Sequence, residues 1–348
     1  MIRQVVSALL LVWPVYASAQ APKPASPPPA DILFSKLTAD AVVPIAFAPG
    51  AVEAPDGVWT LNRAAGSITR LDAKDHKPAP PIVVGTEACA SLVVAFDSVW
   101  VPLCGDGTVT RVDAKAPTVT ATLKLKVAAG DGRIASGVGS IWAITDRKGV
   151  LSRIDPDTNA PVAEIYLAAG AHSVALSGDA LWITSACEPK GGGPPPSTGG
   201  GNPFFGVACN VLTRVNPHNN EIVETIEVGP KPGRLAAGEG GVWVLNRGDG
   251  GQGNTVTRID PASNKVVATI TVGDGLAEGE IAVGLGSVWI SAPGVPLVRI
   301  DPRTNKAVQR FTGTGGGAVL IAHGSLWVAA GPNLTWRLDP LLVAAIRP

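Results

Sequence analysis

The residues of this sequence that could bind a ligand stand in loops that differ from one repeat of the chain to the next. The candidates are five arginines, one histidine and one glutamate: Arg63, Arg133, Arg147, Arg234, Arg247, His172 and Glu280. A guanidinium group presents a planar fork of N–H donors, which suits carboxylates, phosphates and sulfated or sugar ligands. These residues predict a site for an unknown small molecule or a partner protein. The open alternative is that these arginines lie on the surface and pair with acids near them: Asp131, Asp146, Asp249, Glu278 and Glu280.

Catalytic chemistry has weaker support in the sequence. No nucleophile elbow, phosphate-binding glycine loop, H-E-x-x-H motif or calcium-loop spacing occurs. Acid–base catalysis needs a titratable group within hydrogen-bond reach of its substrate, and His172 is the one histidine of these loops. His76 and His218 are expected in solvent-exposed turns, and His323 in an inner strand. We therefore predict no catalytic residues, no cofactor and no metal.

A tryptophan-marked repeat determines where the loops lie. The tryptophans are Trp59, Trp100, Trp142, Trp182, Trp243, Trp289 and Trp327, which lie 38 to 46 residues apart except for one interval of 61. Each repeat alternates apolar and polar residues in four short runs separated by turn residues, a pattern that predicts strands. Four strands in about 40 residues, repeated, are typical of a propeller blade. The sequence predicts an all-β, seven-bladed β-propeller of four-stranded blades over residues 41–348.

A second repeated feature is an arginine two residues before an aspartate or asparagine in each third strand. The arginines are Arg70, Arg111, Arg153, Arg214, Arg258, Arg299 and Arg337. A feature present in every blade indicates scaffold rather than a binding site. The last repeat lacks an outer strand after Pro340, so residues 41–48 are predicted to supply it and close the ring.

The phrase "TVTRIDPASNKVVATITVG" (255–273) is specific enough to compare with known repeats. It resembles the YVTN-type seven-bladed propeller repeats and the wider superfamily of streptogramin (virginiamycin B) lyase-like propellers, from about Ala41 to the end. In those lyases a histidine commonly stands eleven residues before a blade tryptophan, and a glutamate three residues after one. Neither position is matched here. No histidine stands eleven residues before a blade tryptophan: Glu278 occupies one such position, and His172 lies one residue away from another. No glutamate stands three residues after one.

Three functional classes follow from the sequence. We expect a binding protein that recognises its ligand at the loop-rich mouth of the central channel. The resemblance implies a lyase or hydrolase with its site in that same mouth as the alternative. A structural or surface-layer module is the third possibility.

The N-terminal region predicts export. Residues 1–19 carry a basic residue, an apolar run and a small-x-small site, as secretory signal peptides do. Residues 20–40 are expected to form a proline-rich spacer, of which residues 20–35 would be dispensable. We expect a periplasmic or secreted monomer with no membrane span, and the zero formal net charge argues against nucleic acid as a partner.

Four cysteines fit an oxidising compartment, and none has the spacing of a zinc site. Cys89 and Cys104 are predicted to form a disulfide because both reach the same end of the second blade. Cys187 and Cys209 flank the glycine- and proline-rich insertion at 186–210, and we predict a second disulfide across its base. The apolar pair Phe204 and Phe205 near the tip of this insertion suggests either a lid over the channel mouth or packing on a neighbouring blade.

Overall fold

The structure, a computed structural model, describes residues 27–127, 132–146, 148–186, 210–248 and 253–347. The described strands form seven sheets, and each sheet holds one tryptophan-marked repeat. Within every repeat the strands pair antiparallel, in sequence order from the inner to the outer strand. The predicted seven-bladed β-propeller is confirmed.

The strand bounds vary little between blades. Blades one to three contain, from the inner strand outward, Val52–Ala54, Gly57–Asn62, Ser67–Asp72 and Ile82–Val83; Val93–Ala95, Ser98–Leu103, Thr108–Asp113 and Val119–Lys124; and Ile134–Gly137, Ser140–Asp146, Val150–Asp155 and Ala160–Tyr166. Blades four and five contain Ala171–Ser177, Ala180–Ser185, Val211–Asn216 and Glu221–Glu227; and Pro232–Gly238, Gly241–Asn246, Thr255–Asp260 and Lys265–Thr271.

The last two blades draw strands from the N-terminal region. Blade six contains Glu280–Gly284, Ser287–Ala292, Val295–Asp301 and Lys306–Thr312, with Asp31–Leu33 added outside; blade seven contains Val319–Ala322, Ser325–Gly331 and Leu334–Leu338, with Ala41–Val43 outermost. A 3-10 turn, Phe34–Lys36, and a short helix, Pro340–Ala345, complete the described elements.

The repeated tryptophans and arginines form the scaffold between blades. Each of the seven tryptophans is at most 2% exposed. In blade two the Arg111 guanidinium lies 4.8 Å from the centre of the Trp100 ring, a cation–π contact. Its Nη1 also donates to Pro156 O at 2.6 Å and to Asn159 Oδ1 at 3.0 Å, in the turn of the next blade. Equivalent bonds to the next blade are made by Arg153, Arg214 and Arg258.

The ring closes as predicted, by a strand from the N-terminal region. Residues 41–43 pair antiparallel with residues 335–337 of blade seven. Arg337 then donates from Nη1 to His76 Nε2 at 3.1 Å, in the turn of blade one. His76 has a φ of 58° and stands where other blades have asparagine, as with Asn159 at 54°. The prediction that His76 is solvent-exposed is wrong, because its ring also packs edge-on against Trp327 at 5.2 Å.

The sequence predicted His323 inside an inner strand, and this is wrong. His323 lies at the same junction between blades seven and one. It follows the inner strand of blade seven in a tight turn, with a φ of 48°. Its backbone N–H donates to Glu53 Oε1 at 2.6 Å, and its Nε2 lies 3.3 Å from Gly57 O, both in blade one. His218 is exposed, as expected.

The end of the expected spacer is part of the propeller. Asp31–Leu33 pairs parallel with residues 310–312 of blade six. Ile32, Phe34 and Leu37 are 1%, 4% and 6% exposed, and Phe34 stacks on Trp336 with ring centres 4.9 Å apart. The prolines end at residue 29, and the apolar side chains that follow bury themselves on the outer strand. Residues 31–37 therefore pack on the propeller, and a deletion that reaches residue 35 would remove buried side chains.

Candidate functional site

Four of the seven predicted ligand residues stand where inner strands begin. Arg133 immediately precedes the inner strand of blade three, and His172 is the second residue of that of blade four. Arg234 lies in the first half of the inner strand of blade five, and Glu280 opens that of blade six. Inner strands of successive blades run in the same direction along the channel in a propeller ring. These four side chains therefore belong to one end of the channel, called the mouth below.

The four side chains are in contact with one another, and we call them the mouth cluster. Arg133 Nη2 and Arg234 Nε both donate to Glu280 Oε1, at 2.6 and 2.8 Å. Arg234 Nη1 lies 3.2 Å from His172 Nδ1. Blades three and six are not neighbours in a ring of seven, so the bond from Arg133 to Glu280 crosses the mouth.

The cluster is shielded from solvent although it is made of charged and polar groups. Arg133, His172 and Glu280 are 8%, 5% and 8% exposed. Within it two guanidinium groups share one carboxylate oxygen, that of Glu280. A buried charge is stable only when it is paired and hydrogen-bonded. Glu280 meets this requirement for both arginines.

The contact with Arg234 determines the tautomer of His172. A guanidinium has N–H donors and no acceptor. Nδ1 of His172 must therefore accept, and the ring proton resides on Nε2. The Glu280 carboxylate accepts from two arginines, and the His172 imidazole accepts from Arg234. Groups with these bonds are suited to charge recognition more than to proton transfer.

The backbone that carries Arg133 is held by blade two. The predicted disulfide between Cys89 and Cys104 is present, with Cα atoms 5.1 Å apart. Gly132 packs against it so closely that a Cβ atom there would lie 2.8 Å from Cys89 Sγ. On the other side of Arg133, the N–H of residue 134 donates to Ser91 Oγ at 3.3 Å. Sequence reasoning missed Gly132 and Ser91, although a glycine directly before a candidate arginine was a usable signal.

The other predicted ligand residues have different surroundings. Arg63 is exposed, and its Nε donates to Ala88 O at 3.4 Å. The Arg247 side chain lies against Gly233, the residue before Arg234, where a Cβ atom would come 3.2 Å from Arg247 Cγ. The Arg247 Nε is buried and has no hydrogen-bond partner among the described residues. Arg147 lies outside the described residues.

The predicted second disulfide also lies outside the described residues. Residues 187–209, which include Cys187 and Cys209, are not among the described residues, whereas the flanking Ala186 and Asn210 are. The lid suggested by Phe204 therefore stays a prediction.

Two further buried polar atoms lie at the same end of blades four and five. Ser185 ends the second strand of blade four and pairs with Ala171, beside His172. Asn246 ends the second strand of blade five and pairs with Pro232. Ser185 Oγ and Asn246 Oδ1 have no hydrogen-bond partner in the described part of the chain. Such atoms are normally satisfied by water or a ligand.

Two surface clefts lie away from the mouth cluster. One, of about 430 Å³, borders the C-terminal helix and is lined in part by Asp40, Arg337 and Asp339. The other, of about 330 Å³, lies between blades one and two and is lined in part by Trp59 and Arg70. Both are lined by repeat positions with scaffold roles in other blades.

No three or more His, Cys, Asp and Glu side chains of the described ranges are grouped so that they could hold a metal. Among the described helices, none has the length and apolar character needed to cross a membrane.

Comparison with solved structures identifies the type of fold. A streptogramin B lyase structure matches with a TM-score of 0.63 at 17% identity, over 84% of this chain and 93% of the other. Virginiamycin B lyase from Staphylococcus aureus matches with a TM-score of 0.65 at 15% identity, over 85% and 97%. BamB from Moraxella catarrhalis matches with a TM-score of 0.60 at 10% identity, over 86% and 99%.

The fold is a seven-bladed β-propeller, similar to the folds of the two lyase structures. At these identities the similarity concerns the fold alone. No family model matches the sequence, and no curated protein matches it.

Proposed function

We propose that this chain is an exported binding protein whose YVTN-type propeller holds an anionic small molecule at the mouth of its channel. The observation that carries the proposal is the meeting of Arg133 and Arg234 on one carboxylate, that of Glu280. Guanidinium groups held in place, with the water around them largely removed, are suited to recognising oxyanions. The signal-like residues 1–19 and the disulfide of blade two support a periplasmic or secreted location.

A lyase is the second candidate, because His172 and a glutamate lie together in the mouth of a lyase-like fold. General base catalysis needs an acceptor that is available to the substrate. Here the Glu280 carboxylate accepts from two guanidinium groups, and His172 Nδ1 accepts from one of them. This geometry favours the binding protein over the lyase.

The test is a binding screen with defined small anions. Inorganic phosphate, citrate, succinate and acetate, with glucose as a neutral comparison, would be titrated by calorimetry and by thermal shift, since a ligand of the native state raises its apparent stability. We expect at least one anion to bind, glucose not to bind, and the affinity to fall as salt is added. Absence of anion binding at millimolar concentrations would contradict the proposal.

A pair of variants locates the binding. Arg234→Met removes the guanidinium that contacts both Glu280 and His172, and we expect anion affinity to fall at least tenfold, as for loss of a charged hydrogen bond. The matched control is Arg303→Met, whose side chain is 89% exposed beside Asp301 in an outer turn. Equal affinity loss in both variants would indicate a general charge effect and not the mouth cluster.

A further inference from the structure

Arg247 differs from the arginines of the mouth cluster in having unused hydrogen-bond donors. Its side chain makes no hydrogen bond or ion pair with any residue that the structure describes, and its Nε is buried. Arg133 and Arg234, by contrast, both donate to Glu280. Buried polar groups without a protein partner are normally satisfied by water or by a ligand. Arg247 therefore has donors to offer to a ligand.

The backbone that carries Arg247 is held in place on both sides. Its N–H donates to Lys231 O at 3.0 Å, in the loop that enters the inner strand of the same blade. Its carbonyl oxygen accepts from Asn254 Nδ2 at 2.6 Å. Asn254 is itself fully buried, and its Oδ1 accepts from the N–H of Leu276 at 3.0 Å. This backbone is positioned before any ligand arrives, so less conformational freedom is lost when one binds.

The side chain of Arg247 crosses the inner strand at Gly233. A Cβ atom at Gly233 would lie 3.2, 3.3 and 3.4 Å from Cγ, Cδ and Nε of Arg247. Gly233 is fixed in turn, because its carbonyl oxygen accepts from Thr184 Oγ1 of blade four at 2.7 Å, and it directly precedes Arg234 of the mouth cluster. Arg247 is half-buried. With its stem packed on Gly233 and its Nε shielded, the Nη end is the part that a ligand can reach.

The scaffold of the repeat does not account for this arginine. Arg63 stands at the same position of blade one, four residues after Trp59, as Arg247 stands four residues after Trp243. The Nε of Arg63 donates to Ala88 O of the next blade at 3.4 Å. No described carbonyl takes that role for Arg247. The two arginines therefore share a place in the repeat but not a structural contact.

We infer that the Arg247 guanidinium binds an oxyanion group of the ligand, a carboxylate or a phosphate, through its two Nη atoms. This inference rests on the proposed function and assigns the primary contact to a residue outside the mouth cluster. Arg133 and Arg234 already share Glu280 and form the wall beside this contact. The planar fork of a guanidinium matches two oxygens of one carboxylate or one phosphate, which gives both affinity and orientation.

The experiment compares Arg247→Met with the wild-type protein in calorimetry, using inorganic phosphate, succinate and acetate. We expect the anion that wild type binds to bind Arg247→Met at least tenfold more weakly, as for the loss of a charged hydrogen bond. The matched control is Lys148→Met, because Lys148 is exposed in the corresponding loop of blade three and its replacement removes the same charge. We expect Lys148→Met to bind as wild type does. Binding of phosphate alone identifies a phosphate group, and binding of succinate or acetate identifies a carboxylate.

The outcomes separate this inference from the proposed function. Wild-type affinity in Arg247→Met, with a loss in Arg234→Met, would overturn the role of Arg247 and leave the proposed function. An equal loss in Lys148→Met would also overturn it, since the loss would then come from net charge. Absence of anion binding to wild type would remove both. If circular dichroism shows that Arg247→Met is unfolded, Arg247→Lys replaces it; this variant keeps the charge without the fork, and a loss of at least threefold is expected, whereas unchanged affinity refutes the inference.

Discussion

Replacing Phe34 with alanine tests whether the N-terminal segment is a structural part of the propeller. Phe34 is 4% exposed and stacks on Trp336 at 4.9 Å. It belongs to an apolar cluster that also includes Phe311 of blade six and Leu338 of blade seven. Phe→Ala in a core costs about 3–5 kcal/mol, from lost transfer free energy and the cavity left behind. We expect about 3 kcal/mol, because the segment is at the rim and its neighbours can partly close the gap.

The measurement is equilibrium unfolding in urea followed by tryptophan fluorescence, with the slope compared between proteins. Leu33→Ala is the control, because Leu33 lies on the adjoining strand and is 62% exposed, and its loss should change the free energy of unfolding by less than about 0.5 kcal/mol. A loss below about 1 kcal/mol in Phe34→Ala would refute the reasoning. It would mean that the segment detaches before the propeller unfolds.

Three further predictions concern the disulfide, the ring closure and the mouth. Replacing Cys89 and Cys104 together with serine should lower the free energy of unfolding by about 3 kcal/mol, since the bond closes a loop of about 15 residues; an unchanged urea midpoint would contradict this. Burial, followed by the charge of Arg337, lowers the pKa of His76, so the unfolded chain binds its proton first and stability falls as the pH drops below about 6.5. His76→Asn, which matches the turns of the other blades, should reduce this loss between pH 7.5 and 5.5, and an identical pH profile would speak against it. Gly132→Ala should weaken phosphate or succinate binding, because the added methyl group has no room and would displace Arg133. An affinity equal to that of the wild-type protein would contradict this.

The fold was largely predictable because the same residues recur at the same strand positions in every repeat. A buried tryptophan opposite an arginine recurs in every blade, so the strands, their order and the closing strand at 41–43 could all be predicted. The strand at 31–33 could not, because it belongs to no repeat and pairs parallel with a partner about 280 residues away. Its sequence has only a few apolar residues after a proline run, and nothing local distinguishes it from spacer.

The site was predictable in composition but not in geometry. Loop position assigned Arg133, His172, Arg234 and Glu280 to one end of the channel, where the structure brings them into contact; a ligand role for them stays a prediction. The sequence could not show that Arg133 reaches Glu280, because that contact depends on how two distant blades face each other across the channel. Arg63 has the same residue type and a similar loop position, yet it lies exposed beside Ala88.

The arginine bonds between blades also give the ring a direction. Arg111, Arg153, Arg214 and Arg258 each donate to the following blade, so every contact joins two different surfaces, as in a head-to-tail cyclic oligomer. Such contacts form a closed ring only when the rotation between units returns the last one to the first. In this chain Arg337 and His76 make that final contact. A circular permutant opened away from the turns that accept these bonds would keep every such contact, so the position of the termini is separable from the closure of the ring.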